Sequence, residues 1–283
     1  MRYYTLRHNE TAHVACSKDG KKAYILRAYM TMNVMLLKGH DGTIPPLSEE
    51  VDLEDPDVRI LSPMPHPRQD VICLGINYRD HAKEAKEFDP GAFSKEMEDP
   101  IFFSKRVNYS QGTGSVIPAH ADICDSLDYE TELGVIIGKE ACNVKAEDAL
   151  EYIFGYTIVN DVSARNLQTR HKQWYFGKSL DGFTPMGPCI VSRDEFDGIP
   201  KLDLKTYVNG ELRQSSNTGN LITDIPRIIE VLSSGMTLEP GTVIATGTPS
   251  GVGMGMDPPT FLNKGDEVIC EIEGIGRLVN TVQ

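Results

Sequence analysis

Three acidic side chains stand in otherwise apolar surroundings: Glu130 and Glu132 in Asp128-Tyr-Glu-Thr-Glu-Leu-Gly-Val-Ile-Ile-Gly138, and Asp161 closing Gly155-Tyr-Thr-Ile-Val-Asn-Asp161. Side chains at i and i+2 of a strand leave the same face, so Glu130 and Glu132 point together while Leu133 to Ile137 carries the strand into a core. Two carboxylates that close raise each other's pKa until one binds a proton, unless a cation keeps both ionised. A hard, oxygen-seeking ion such as Mg2+ or Mn2+ meets that need. The spacing alone leaves a second reading open, in which both glutamates face water on an edge strand.

Other residues could supply acid-base chemistry and anion binding. In Asn77-Tyr-Arg-Asp-His81-Ala-Lys-Glu84, His81 and Glu84 are three apart and share one face of a helix. With an ordinary pKa of about 6.5, an imidazole held by a carboxylate is a general base near neutrality. An exposed charged helix face is the alternative. Zinc is disfavoured, because His-x-x-Glu lacks the second His of a zincin. Ala245-Thr-Gly-Thr-Pro-Ser-Gly-Val-Gly-Met-Gly255 is glycine-rich and follows an apolar run. It has no Lys-Ser/Thr pair, and Pro249 interrupts it, so neither a phosphate P-loop nor a dinucleotide fingerprint fits. Backbone amides there, with Thr246 or Thr248, could hold a small carboxylate. Lys178 lies among aromatics in Trp174-Tyr-Phe-Gly-Lys178, Lys105 follows Pro100-Ile-Phe-Phe-Ser, and Arg165 stands just beyond Asp161. Each could grip a carboxylate or simply be a surface cation.

The elements that must position these groups are mostly strands. Residues 1 to 68 read as a small β domain of short strands, Tyr3 to Arg7, His13 to Cys16, Ala23 to Ala28 and Met32 to Leu37, ending at the stiff Pro63-Met-Pro-His-Pro67. From 69 to 283 a larger domain follows. Val71 to Gly75 reads as a buried strand, Tyr78 to Lys86 as helical, and the charged Glu84 to Asp99 as a loop. Helices are expected over Ala146 to Phe154, Ala164 to Lys172 and Asp224 to Ser234, the last with Pro226 in its first turn. Asn209-Gly210 between Leu204 to Val208 and Glu211 to Gln214 is a hairpin signal, and Val268 to Ile272 pairs with Leu278 to Val282. Strands come in runs with few helices between them, which favours a mixed, β-rich α+β fold over a doubly wound sheet.

The chain has 283 residues and, with 41 acidic against 28 basic side chains, a formal charge of −13. That charge repels nucleic acid and anionic membrane, so any anionic ligand must be caught locally. Cys16, Cys73, Cys124, Cys142, Cys189 and Cys270 form no Cys-x-x-Cys pair and read as reduced core thiols. There is no apolar signal core and no run near the ~20 apolar residues of a membrane span, so a soluble cytoplasmic protein is expected.

Taken in order, the motifs resemble the fumarylacetoacetate hydrolase family: Leu74-Gly-Ile-Asn-Tyr-Arg-Asp-His-Ala-Lys-Glu84, Tyr129 to Gly138, Gly155 to Gln168, Gly177 to Pro188, Val208-Asn-Gly-Glu-Leu-Arg-Gln214 and Thr246 to Gly253. The likeness spans residues 70 to 283, and the first 68 look like the N-terminal β domain of the long bacterial branch. It implies a mixed β-roll, a homodimer, and Mg2+ or Mn2+ on the positions of Glu130, Glu132 and Asp161. It further implies a lid around His81 and Glu84, with Lys178 adding positive charge and Lys105, Arg165, Gln168 and Thr248 contacting substrate. Asn166 stands where many relatives carry Asp, and Ser104 and Arg106 flank Lys105 where short acylpyruvases have Leu-Lys-Pro; both departures bear on substrate choice. The implied reaction is hydrolysis of an acylpyruvate-type 2,4-dioxo acid: His81, oriented by Glu84, deprotonates the attacking water and pyruvate leaves as an enolate that the ion stabilises. Oxaloacetate-type decarboxylation and isomerisation of 2-hydroxyhepta-2,4-diene-1,7-dioate are the enzymatic alternatives. A metal-dependent dicarboxylate-binding protein without turnover is the non-enzymatic one.

Overall fold

The apolar runs become strands in nearly every case. The computed structural model describes residues 1–82 and 99–283. Strands β1 (Arg2–His8), β2 (Thr11–Ser17), β3 (Lys22–Ile25), β4 (Glu50–Asp52) and β5 (Arg59–Ile60) come first. They are followed by β6 (Val71–Leu74), β7 (Phe102–Lys105), β8 (Val116–Ile117), β9 (Leu127–Asp128) and β10 (Thr131–Ile137). Next are β11 (Ile153–Asn160), β12 (Ser163–Ala164), β13 (Met186–Ser192), β14 (Asp203–Val208) and β15 (Glu211–Asn217). The last three are β16 (Val243–Ala245), β17 (Glu267–Ile272) and β18 (Gly276–Val282).

One large sheet runs β4-β3-β2-β1-β13-β11-β10-β16-β6-β7, with β5 also paired to β1. A second sheet, β15-β14-β17-β18-β8, contains the two expected hairpins, and β9 pairs with β12. Pairing is antiparallel except for β16 with β6 and β18 with β8, which gives the mixed β-rich character. Strand β10 lies between β11 and β16 and is buried at every position, so its sequence is continuously apolar after Glu132 rather than alternating.

The N-terminal strands continue the large sheet through Arg2 opposite Val191 and Tyr3 opposite Ile190. Tyr3, Val14, Cys16, Leu26, Met32, Met35 and Leu36 share one apolar cluster with Cys73, Ile136, Val159, Met186 and Val243.

Local readings failed in a few places. Met32–Leu37 is a helix, α1, not a strand. Thr31 caps it by accepting from the Val34 N–H, and Met32, Met35 and Leu36 are buried at helical spacing. Ala146–Tyr152 is a 3₁₀ turn that passes directly into β11. The other helices are α2 (Arg165–Arg170), α3 (Tyr175–Lys178) and α4 (Ile225–Ser233), where Asp224 accepts from the Arg227 N–H and Ile225, Ile228, Ile229 and Leu232 face the core. Residues 79–82 are helical. The rest of the helix expected to Lys86, together with Glu84 and the charged stretch up to residue 98, lies outside the described residues. Five cysteines are buried, but Cys142 is exposed and is no core thiol. Among the described residues no helix is long and apolar enough to cross a membrane.

Candidate active site and metal centre

The β10–β11 register builds the acidic cluster. Thr131 lies opposite Asn160 and Glu132 opposite Val159, so the residues just beyond, Glu130 and Asp161, come side by side; the Asp161 N–H donates to the Glu130 carbonyl at 2.8 Å. The chain breaks strand geometry between β9 and β10, and the Asn160 side-chain oxygen accepts the Glu130 N–H at 3.0 Å. Carboxylate oxygens of Glu130, Glu132 and Asp161 all lie within 4.8 Å of one another. Glu130 is 5% exposed, Glu132 1% and Asp161 0%, which excludes the water-facing reading.

Three buried cations surround the cluster. Lys178 Nζ bridges Glu130 Oε2 and Asp161 Oδ2, each at 2.8 Å, and stands 5.2 Å from the centre of the Phe103 ring. Lys105 is fully buried and donates to Asp161 Oδ1 and to the Val162 carbonyl. Arg165 Nη1 meets Glu130 Oε1 at 2.6 Å and Gln168 Oε1 at 3.1 Å, while its Nε donates to Asp128 Oδ2 at 2.9 Å. These charges set the titration. Burial raises the Glu130 pKa, yet Lys178 and Arg165 outweigh it and hold that carboxyl well below its usual range, helped by nearby His81. Glu132 makes no ion pair among the described residues, and Lys178 only partly offsets what raises it. Burial, then repulsion from Asp161 and Glu130, pushes it well above the ordinary carboxylate value. Burial also lowers the Lys105 pKa despite Asp161, whereas at Lys178 Asp161 and Glu130 overcome burial and raise it.

The glycine-rich loop serves this cluster from inside. Gly247, at φ +94°, donates its N–H to Glu132 Oε2 at 2.7 Å, and a Cβ there would approach the Asn77 Cβ to 2.9 Å. Gly253 and Met254 donate theirs to Asp128 at 2.8 and 3.0 Å. The amides thus hold the protein's own carboxylates. Thr246 Oγ1 donates to the Leu133 carbonyl, and Thr248 Oγ1 to that of Thr131, so both hydroxyl protons are engaged with backbone. His81 stands at the start of the helical turn, half-buried. Its N–H donates to Asp80 Oδ1, and Asp80 Oδ2 accepts from Ser250 and Ser216 at 3.2 and 3.4 Å, tying that turn to the loop and to β15.

The donor set fits a hard divalent cation. Four buried carboxylates, Asp128, Glu130, Glu132 and Asp161, face three buried cations, leaving negative charge in excess. Glu132 Oε1 is buried with no hydrogen-bond partner among the described residues, and the Lys178 ammonium between two of the three acids shows that the cage attracts a cation. The structure therefore brings together Glu130, Glu132, Asp161, Lys178, Lys105, Arg165, Gln168 and His81, with Thr248 linked through Thr131. Glu84 lies outside the described residues. Sequence reasoning gave no role to Asp128 or Asp80. Asp128 carried a usable signal, since 128, 130 and 132 follow the two-residue period of a strand.

A buried carboxylate triad ringed by lysine and arginine on a mixed, sheet-rich α+β fold is a candidate metal centre. The fumarylacetoacetate (FAA) hydrolase C-terminal family model matches residues 70–283, and the chain belongs to that family. It is 47% identical over 226 residues, 80% of this chain and 73% of the relative, to the oxaloacetate tautomerase YisK of Bacillus subtilis. Among solved structures it is similar to a fumarylacetoacetate hydrolase of Exiguobacterium antarcticum, with TM-score 0.87 and 39% identity, covering 100% of this chain and 99% of that one. It is also similar to a maleylpyruvate hydrolase of Sphingobium solved with manganese and pyruvate, with TM-score 0.77 and 28% identity, covering 100% and 98%.

Proposed function

We propose that the protein is a Mg2+- or Mn2+-dependent enzyme that interconverts the enol and keto forms of a 2-oxo dicarboxylic acid of the oxaloacetate type. The observation that carries this reading is the buried triad, its Glu132 Oε1 without a hydrogen-bond partner among the described residues, near His81, on a chain so similar to an oxaloacetate tautomerase. Glu130, Glu132 and Asp161 would hold the ion, which supplies Lewis-acid polarisation of the 2-oxo group when bound. Arg165 takes a substrate carboxylate, and Lys178 sets a second positive charge where the oxyanion develops. His81 accepts the enol hydroxyl proton and returns it to C3, so the electron pair of the C2–C3 double bond becomes the new C–H bond while C2–O becomes the carbonyl. One proton moves and no water need be aimed at a second carbonyl. Tautomerisation therefore stands ahead of the hydrolysis favoured by sequence motifs alone.

Hydrolysis of acylpyruvate-type acids is the second reading, supported by the likeness to the maleylpyruvate hydrolase; there His81 would deprotonate water. Enol-oxaloacetate, acetylpyruvate and a hydroxydienedioate, each with Mg2+, Mn2+ or EDTA, separate the possibilities. Metal-dependent acceleration of enol-to-keto conversion without pyruvate release is the expected result. Pyruvate from acetylpyruvate would establish the hydrolase, and pyruvate from oxaloacetate a decarboxylase. Absence of any metal-dependent conversion would leave a dicarboxylate-binding protein.

A further inference from the structure

Asp128 is fully buried, and four donors satisfy its carboxylate. Its Oδ1 accepts from the Tyr129 and Gly253 N–H groups at 2.9 and 2.8 Å, and its Oδ2 from Arg165 Nε and the Met254 N–H at 2.9 and 3.0 Å. It therefore clamps the glycine-rich loop to α2. Arg165 is held at two of its three nitrogens, Nε on Asp128 and Nη1 on Glu130 and Gln168. Nη2 is buried and has no hydrogen-bond partner among the described residues, a costly state for a charged donor unless a ligand completes it. From this arrangement we infer that Asp128 is a positioning residue that fixes the Arg165 guanidinium so that Nη2 is presented to a carboxylate of the substrate.

The inference rests on the oxo-acid reading above. Asp128 acts in two ways. Its fixed geometry sets the plane of the guanidinium, and its charge shares the arginine with Glu130, which would otherwise draw Arg165 wholly toward the triad. An asparagine cannot replace it. With the amide oxygen at Oδ1, the new NH2 would face two donors, Arg165 Nε and the Met254 N–H, and release the arginine.

Oxalate, a dicarboxylate that mimics a 2-oxo acid, is the probe, titrated calorimetrically into protein saturated with Mg2+. Asp128→Asn should weaken oxalate binding about tenfold, the loss expected of one charge-assisted contact. Arg165→Lys, which keeps the charge and spares the loop, should weaken it similarly. The double variant should bind no more weakly than Arg165→Lys alone, because Asp128 acts through Arg165. In turnover, Asp128→Asn should raise KM for the oxo acid more than it lowers kcat. Wild-type oxalate affinity in folded Asp128→Asn, or additive losses in the double variant, would overturn the inference. Should Asp128→Asn fail to fold, Asp128→Glu displaces the same charge by one methylene, and unchanged affinity there overturns it equally. No Mg2+-dependent oxalate binding by the wild type would instead defeat the oxo-acid reading, and the inference with it.

Discussion

Replacing Glu132 by glutamine tests the metal centre through stability, with no need of a turnover assay. The wild-type carboxylate is 1% exposed, has one oxygen on the Gly247 N–H and one without a hydrogen-bond partner among the described residues, and is repelled by Asp161 and Glu130. Glutamine keeps the shape: its carbonyl oxygen can accept from Gly247, and its NH2 then faces the two neighbouring carboxylates as a donor. Relieving a buried, unpaired charged acceptor is worth about 1–3 kcal/mol, which for a chain of this size is roughly 2–10 °C in melting temperature. In EDTA, Glu132→Gln should therefore melt higher than the wild type. With Mg2+ or Mn2+ the order should invert. A ligand at about 100 times its Kd stabilises by about 2.7 kcal/mol, and the wild type alone keeps all three carboxylates.

The pH dependence in EDTA has a definite sign. Because the folded-state pKa of Glu132 is raised above the unfolded value, the wild type loses stability as pH climbs from its ordinary 4.5 through the raised folded value. The advantage of Glu132→Gln is thus smallest below pH 4.5 and largest above that window. Differential scanning calorimetry in EDTA and in each metal reads all of this. A wild type that ignores both ions, or a glutamine variant that melts lower in EDTA, would refute the reasoning.

Three further outcomes follow from individual contacts. His81→Ala should lower turnover about 10²–10⁴-fold while leaving calorimetric Mg2+ affinity intact, whereas Glu132→Ala should lose both; equal metal loss in the two would remove the division of roles. Lys105→Met should cost about 1–3 kcal/mol in urea unfolding, since it leaves the fully buried Asp161 Oδ1 without its cation while Lys178 stays on Oδ2. Gly253→Ala should cost about 1–3 kcal/mol by thermal melting. Its Cβ would stand 2.2 Å from the Thr260 carbonyl and 2.8 Å from Asp128 Oδ1, so the loop would have to shift.

Local pattern by itself determined much of this protein. The period of two at Glu130 and Glu132, the apolar run after them and the Asn209-Gly210 turn depend on neighbours within a few residues, and they were readable as such. Ordered motifs also identified the family, since six short patterns in sequence are far more specific than any one. Met32–Leu37 was misread because a six-residue apolar run fits strand and helix alike, and the Thr31 cap decides between them only when its backbone is seen.

Tertiary structure decided what the acidic residues are. Spacing cannot tell depth, and the same Glu-x-Glu is harmless on an edge strand; only the placement of β10 between β11 and β16 buries it and brings Asp161 alongside. The charges that hold Glu130 down and leave Glu132 high come from Lys178, Arg165 and Asp161, distant in the chain and joined by register. The glycine-rich loop offered amides for an anion, and the fold supplied the anions from within, Glu132 and Asp128. Electrostatic and hydrogen-bonding partners are set by distance in space, which a linear pattern encodes only where the chain folds back within a turn or a hairpin.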